Sequence, residues 1–169
     1  MALFLRMDPD RETLASLGRH LGQRPRVLAW GRTTDGVAVG LPDRLVYNGP
    51  EQWMDQLWHR VARGAWNRST STLRWSSVEG ASQELTLTRP GRLPELFNER
   101  VSASIVLQRL VDLPPRGSAQ ITLRRDLGDP HAALMWSVLP QGRARLDEPE
   151  AQAVVAAELA RLRAEYDIG

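Results

Sequence analysis

The sequence predicts an α+β fold: an antiparallel β-meander that curls toward a barrel and is closed by a helix, followed by C-terminal β-strands and an amphipathic helix. Three observations carry this expectation. Between Arg26 and Leu87, short apolar segments alternate with turn residues at strand-length intervals. Apolar residues at helical spacing return after Pro94, and again after Asp147. The clearest passage is GVAVGLPDRLVY, from Gly36 to Tyr47, where one strand-like piece turns through Leu41-Pro42-Asp43-Arg44 into another.

In chain order, Asp8-Pro9 starts a helix, because Asp caps free N–H groups and Pro suits the first turn. Leu14, Leu17 and Leu21 mark its buried stripe, and Gly18 or Gly22 ends it. Arg26–Trp30 is the first strand expected, followed by the turn Thr33-Thr34-Asp35-Gly36. Val37–Val39 and Leu45–Tyr47 pair as a hairpin, and Asn48-Gly49-Pro50 breaks the chain. Glu51–Trp58 reads as a helical turn or an irregular lead-in. His59–Trp66 reads as a strand with Val61 pointing inward, then Thr72–Trp75 and Glu84–Thr88 follow, making six strands in all. Pro94 opens a helix whose face carries Leu93, Leu96, Phe97, Arg100, Val101 and Ser104. Ile105–Val111, Ala119–Leu123 and Ala133–Leu139 are further strands. A last helix starts at a capping box of Asp147 and Glu150 and shows a stripe of Val155, Leu159, Leu162 and Tyr166. The organisation expected is an N-terminal helix (1–25), a barrel with its closing helix (26–104) and an extension packed on it (105–169), as one globular unit.

Composition excludes several chemistries. A chain of 169 residues buries enough surface to stand without staples. It has no cysteine, so disulfides, thiolate zinc sites and cysteine nucleophiles are absent. All 22 basic residues are arginine, which removes a Schiff-base lysine and the lysine of a phosphate loop. The net charge of +2 is spread thinly, with six Arg against three Asp over 105–146 and two Arg against six acids over 147–169. Such a distribution lacks the concentrated basic face that nucleic acid usually demands. MALFLR is too short an apolar run for a signal peptide, and no stretch is long enough for a membrane span. A cytoplasmic location is therefore expected.

The order of strand, glycine-led hairpin, GVAVGLPDRLVY, Trp53 and Trp66 bracketing a strand, then TLRW and ELTLT, resembles bacterial pleckstrin-homology-like domains. In particular it is similar to a family of uncharacterised actinobacterial proteins of about this length. The resemblance implies a PH-like antiparallel β-barrel with one open end plugged by an amphipathic helix, and it transfers no catalytic residues. It also implies a comparison with phosphoinositide sites, which place basic residues on the first strand and more on the second. Arg26 and Arg32 match the first part, but Val37-Ala38-Val39 supplies none, so phosphoinositide binding is not expected. Of the two helices available to close the barrel, the one at Pro94 is preferred.

No local catalytic signature occurs, and His20, His59 and His131 lie far apart in sequence. Asp126 and Asp129 read as turn formers rather than metal ligands, and neither a metal nor a cofactor is expected. The six tryptophans are expected chiefly to fill and cap the barrel, with Trp53 and Trp58 the most exposed. Beside arginine, as in Arg74-Trp75, tryptophan also suits a clamp for peptide or nucleic-acid bases. Arg124 and Arg125 point to opposite faces of their strand, and with Arg116, Arg143 and Arg145 form a basic edge suited to the acidic terminal helix. The candidate binding residues are thus Arg26, Arg32, Trp53, Trp58, Arg74 and Arg124. The function expected is a non-catalytic module binding protein or peptide. RNA or single-stranded nucleic-acid binding is the alternative, an enzyme the third reading, and self-association through the terminal helix is compatible with each.

Overall fold

The computed structural model describes residues 9–48 and 52–166. It is α+β, as the sequence predicts, with three helices and ten strands among the described residues, and it divides into two compact units, Met1–Ser102 and Ala103–Gly169. In the first unit, helix α1 (Arg11–Leu21) precedes four strands, β1 (Ala29–Thr33), β2 (Val37–Gly40), β3 (Arg44–Asn48) and β4 (Trp53–Leu57). A single 3-10 turn (Trp58–Arg60) leads to β5 (Val61–Asn67), β6 (Thr72–Ser77), β7 (Ser82–Arg89) and helix α2 (Leu93–Ala103).

The seven strands form one antiparallel sheet in the order β4-β3-β2-β1-β7-β6-β5, strongly curled into a half-barrel. Strand β1 joins the two halves, pairing with β2 on one side and with the end of β7 on the other. This arrangement is consistent with a PH-like barrel closed by α2. It has one strand more than the six expected: Trp53–Leu57 is strand β4, paired along its length with β3, rather than a helical turn. Its five residues alternate too weakly in polarity to show a period, and pairing decides their state. Two neighbouring boundaries move as well. Strand β1 starts at Ala29, leaving Arg26 in the preceding loop, and His59 belongs to the 3-10 turn before β5. Gly49 and Pro50, expected to break the chain, lie outside the described residues.

Strands β2 and β3 read as near-continuous apolar runs because both of their faces are covered. On the outer face Val39 lies opposite Val46, and both pack with Leu17 of α1, Leu41 and the half-buried Trp30 and Trp53. On the inner face Tyr47 begins a chain of aromatic contacts. Its ring meets Trp75 edge-on at 5.6 Å, Trp75 lies 5.9 Å from Phe97, and Phe97 meets Trp58 edge-on at 5.6 Å. Both buried indoles keep their N–H groups satisfied, Trp58 by donating to the Leu41 carbonyl at 2.8 Å and Trp75 to Gln56 Oε1 at 3.0 Å.

Helix α2 seats on this interior where two strands lack a Cβ. A methyl group at Gly40 of β2 would come within 2.3 Å of Leu96 Cδ2, and one at Gly64 of β5 within 2.3 Å of Phe97 Cε1. Arg100 fastens the other end of the helix, donating from Nε and Nη2 to the Pro42 carbonyl at 3.1 and 2.7 Å. Helix α1 is capped by Asp10, whose carboxylate accepts from the Thr13 N–H at 2.8 Å, and Gly22 ends it at φ 69°. The cap expected at Asp8 lies outside the described residues, and Pro9 precedes the helix instead of opening it.

In the second unit, β8 (Ile105–Asp112), β9 (Ser118–Arg124) and β10 (Met135–Gln141) form an antiparallel sheet with β9 central, and α3 (Pro149–Glu165) follows. Ala119, Leu113 and Ala151 form its core, with Val138, Leu146, Val154 and Val155 packed around them. Leu162 of α3 is fully buried, but Tyr166 is exposed and does not extend the stripe. The expected capping box is not formed. Glu148 occupies the cap position without a side-chain bond, and Asp147 instead accepts from Arg145 at 3.0 Å. Pro149 takes the first helical position, so Asp147 stands one residue outside the cap. Arg145 of the expected basic edge thus meets the start of the acidic terminal segment, while within α3 Arg161 bonds Glu158 and Glu165 at 2.6 and 2.7 Å.

Candidate functional site

The structure scatters the six residues expected to bind. Arg26 is exposed in the loop before β1. Arg32 is exposed on β1, its guanidinium 5.8 Å from the Trp30 ring centre. Trp53 is half-buried on β4 and donates to Ser16 Oγ at 2.9 Å, tying β4 to α1. Trp58 is fully buried, which corrects the expectation that it is exposed; its ring fills the barrel and touches no solvent. Arg74 is exposed on β6 and pairs across the strand with Glu84 of β7. Arg124 is 2% exposed and donates to Ser104 Oγ at 3.4 Å, while burial pushes its guanidinium below the ordinary arginine range. Trp53 and Trp58 therefore serve the structure, and Arg124 lies inside it.

Of the six, only Arg74 stands near the free edge of β5, which ends the sheet. The register of β5 with β6 and β7 separates two faces. Gly64, Trp75 and Gln83 lie across from one another toward the barrel interior, while Ala65, Arg74 and Glu84 lie across the outer face. A groove opens on each side of this edge. The inner one, about 310 Å³, runs between β5 and α2, with Trp66, Leu73, Pro94 and Phe97 as apolar walls and Glu95 and Asn98 at the rim. The outer one, about 540 Å³, is bounded by Arg63, Arg74, Ser76, Ser82 and Glu84. Gly64 and Ala65 line both, so the two grooves meet at the strand edge itself.

The physical cause of the inner groove is the glycine in mid-strand. Without a Cβ at Gly64, the Phe97 ring lies against the β5 backbone, and α2 leaves a trough along the neighbouring Ala65 and Trp66. The sequence reading placed Leu93, Leu96 and Phe97 on one helix face but did not assign Gly64 a role. The signal was present: a glycine inside a strand pattern marks a close approach of another element.

A second polar cluster lies where α1 meets β3 and β4. His20 Nε2 is 2.6 Å from Asp55 Oδ1, and Arg44 spans Asp55 and Asp43 at 2.8 Å each. Its hydrogen bonds to Asp43 and Asp55 hold the Arg44 guanidinium above its ordinary range despite partial burial. The His20–Asp55 pair joins α1 to β4 at the sheet edge, and Arg44 ties β3 to the same Asp55. Asp126 and Asp129 accept from the N–H groups of Gly128 and His131 at 2.8 and 2.9 Å, as turn-forming aspartates do. Among the described residues no group of three or more His, Asp or Glu side chains is gathered to hold a metal ion, and no helix is long and apolar enough to cross a membrane. Of the six tryptophans Trp58 and Trp75 are buried, and the other four are half-buried, with Trp66 lining the inner groove.

Comparison with protein-family models, with curated proteins and with solved structures finds no match for this chain.

Proposed function

We propose that the first unit is a non-catalytic interaction module of PH-like type that binds an extended peptide along β5. The ligand adds as a further strand to the sheet edge and lies beside α2. The observation that carries this reading is the pair of grooves meeting at Gly64 and Ala65. An added strand points successive side chains to opposite faces, so it needs room on both sides of the edge, and here both sides have it. Backbone hydrogen bonds to β5 supply affinity with little regard to sequence. Selectivity comes from the inner groove, where Phe97, Trp66 and Leu73 accept an apolar side chain.

The experiment is selection from a displayed library of random heptapeptides, followed by an NMR titration of the isotope-labelled protein with an enriched peptide. The shifts are expected on amides of residues 63–67 and 94–98. Enriched peptides that shift a different surface, or a library that enriches nothing over an unrelated control protein, would overturn the proposal.

A further inference from the structure

We infer that the inner groove selects a ligand residue bearing positive charge, arginine or lysine, set in alternation with an apolar residue, and that Glu95 is the specificity-determining side chain. This rests on the reading of β5 as a strand-accepting edge. Glu95 is the one ionisable residue lining the inner groove. It is exposed in the first turn of α2, where the helix dipole favours an acidic side chain, and it has no ion pair among the described residues. Its neighbours differ. Glu84 is already paired with Arg74 across the outer groove, and Glu99 lies 3.6 Å from Arg92. The outer groove thus has its own counter-charges, whereas the inner one has an uncompensated carboxylate above an apolar floor.

That combination suits a long cationic side chain better than any other. The methylene stem of arginine or lysine covers Trp66 and Phe97 while the charged head remains in water beside Glu95. A ligand carboxylate in the same position meets Glu95 without a partner. Because same-face residues of a strand stand two positions apart, the motif expected is a basic residue two positions from an apolar one. The next residue between them faces the wider outer groove, around Ala65, Ser76 and Ser82, beside the paired Arg74 and Glu84.

The test selects heptapeptides on the native chain and on the Glu95→Arg variant, then measures fluorescein-labelled winners by anisotropy in low salt. The native chain is expected to enrich arginine or lysine two positions from an apolar residue. Replacing that basic residue by glutamate should weaken binding about fivefold, the scale of one exposed ion pair, and added salt should erase the difference. Glu95→Arg should reverse the preference toward acidic peptides. Peptides that shift the β5 amides but show no charge preference, or keep it in Glu95→Arg, would overturn this inference and leave the strand-edge reading standing. Enrichment of nothing by either protein would overturn both.

Discussion

The seat of α2 on Gly64 makes a quantitative prediction. In Gly64→Ala the new methyl carbon would stand 2.3 Å from Phe97 Cε1 and 2.9 Å from Cζ, distances that real carbon atoms do not tolerate. The ring has little freedom to retreat, since Phe97 is 4% exposed and held between Trp58 and Trp75. Overpacking of this kind costs about 1–3 kcal/mol. Alanine is otherwise better than glycine inside a strand by roughly 0.5–1 kcal/mol, so a site with room would show a gain. The net loss of about 0.5–2 kcal/mol corresponds, for a chain of this size, to a fall in Tm of about 1–8 °C. The assay is urea unfolding followed by tryptophan fluorescence, which reports mainly the first unit because five of the six tryptophans lie there. The decisive measurement is a double-mutant cycle with Phe97→Leu, which removes the ring atoms that the methyl meets. In that background Gly64→Ala should be neutral or stabilising, giving a coupling of about 1–3 kcal/mol. An equal effect of Gly64→Ala in both backgrounds, or a gain in the native one, would refute the close approach of α2 to β5.

Two further outcomes follow from particular bonds. Trp58→Phe leaves the Leu41 carbonyl without its buried donor and opens space beside Phe97, and is expected to destabilise the first unit by about 2–4 kcal/mol in the same urea assay. The hydrogen bond from the Thr13 N–H holds the Asp10 carboxyl below the usual carboxylate range. Its contribution to stability is therefore full above the unfolded-state pKa and is lost as pH falls through the folded one; Asp10→Asn should keep the cap and flatten that acid limb in Tm measured against pH.

Periodicity made much of the first unit legible. The hairpin of β2 and β3, the strands around Thr72 and Glu84 and the helix at Pro94 each have a length and an apolar pattern that no other state satisfies as well. Strand β4 was illegible for the opposite reason. WMDQL has no clean alternation, and it is extended because β3 offers it a full ladder of partners. The same tertiary override explains the tryptophans. Trp53 and Trp58 sit in the least regular stretch, yet the chain must cross there from one sheet edge to the other, and Trp58 plugs the gap. Of the candidate binding residues, Arg74 borders a groove, whereas Arg26 and Arg32 lie elsewhere on the surface. The cap at Asp147 fails because the helix opens one residue later, at Pro149 behind Glu148, a register that a pattern of residue types does not reveal. The grooves depend on a glycine and a phenylalanine 33 positions apart coming together, and that proximity is a property of topology rather than of any window of sequence.

The position of α2 after the last strand sets the order in which this chain becomes self-sufficient. A nascent polypeptide ending at Arg89 already contains every strand of the large sheet, but its Tyr47, Trp58 and Trp75 rings would stand under no roof. Only when Leu93, Leu96 and Phe97 have emerged from the ribosome can those rings be shielded from water and from other chains. Until that moment the growing protein carries its most adhesive surface uncovered.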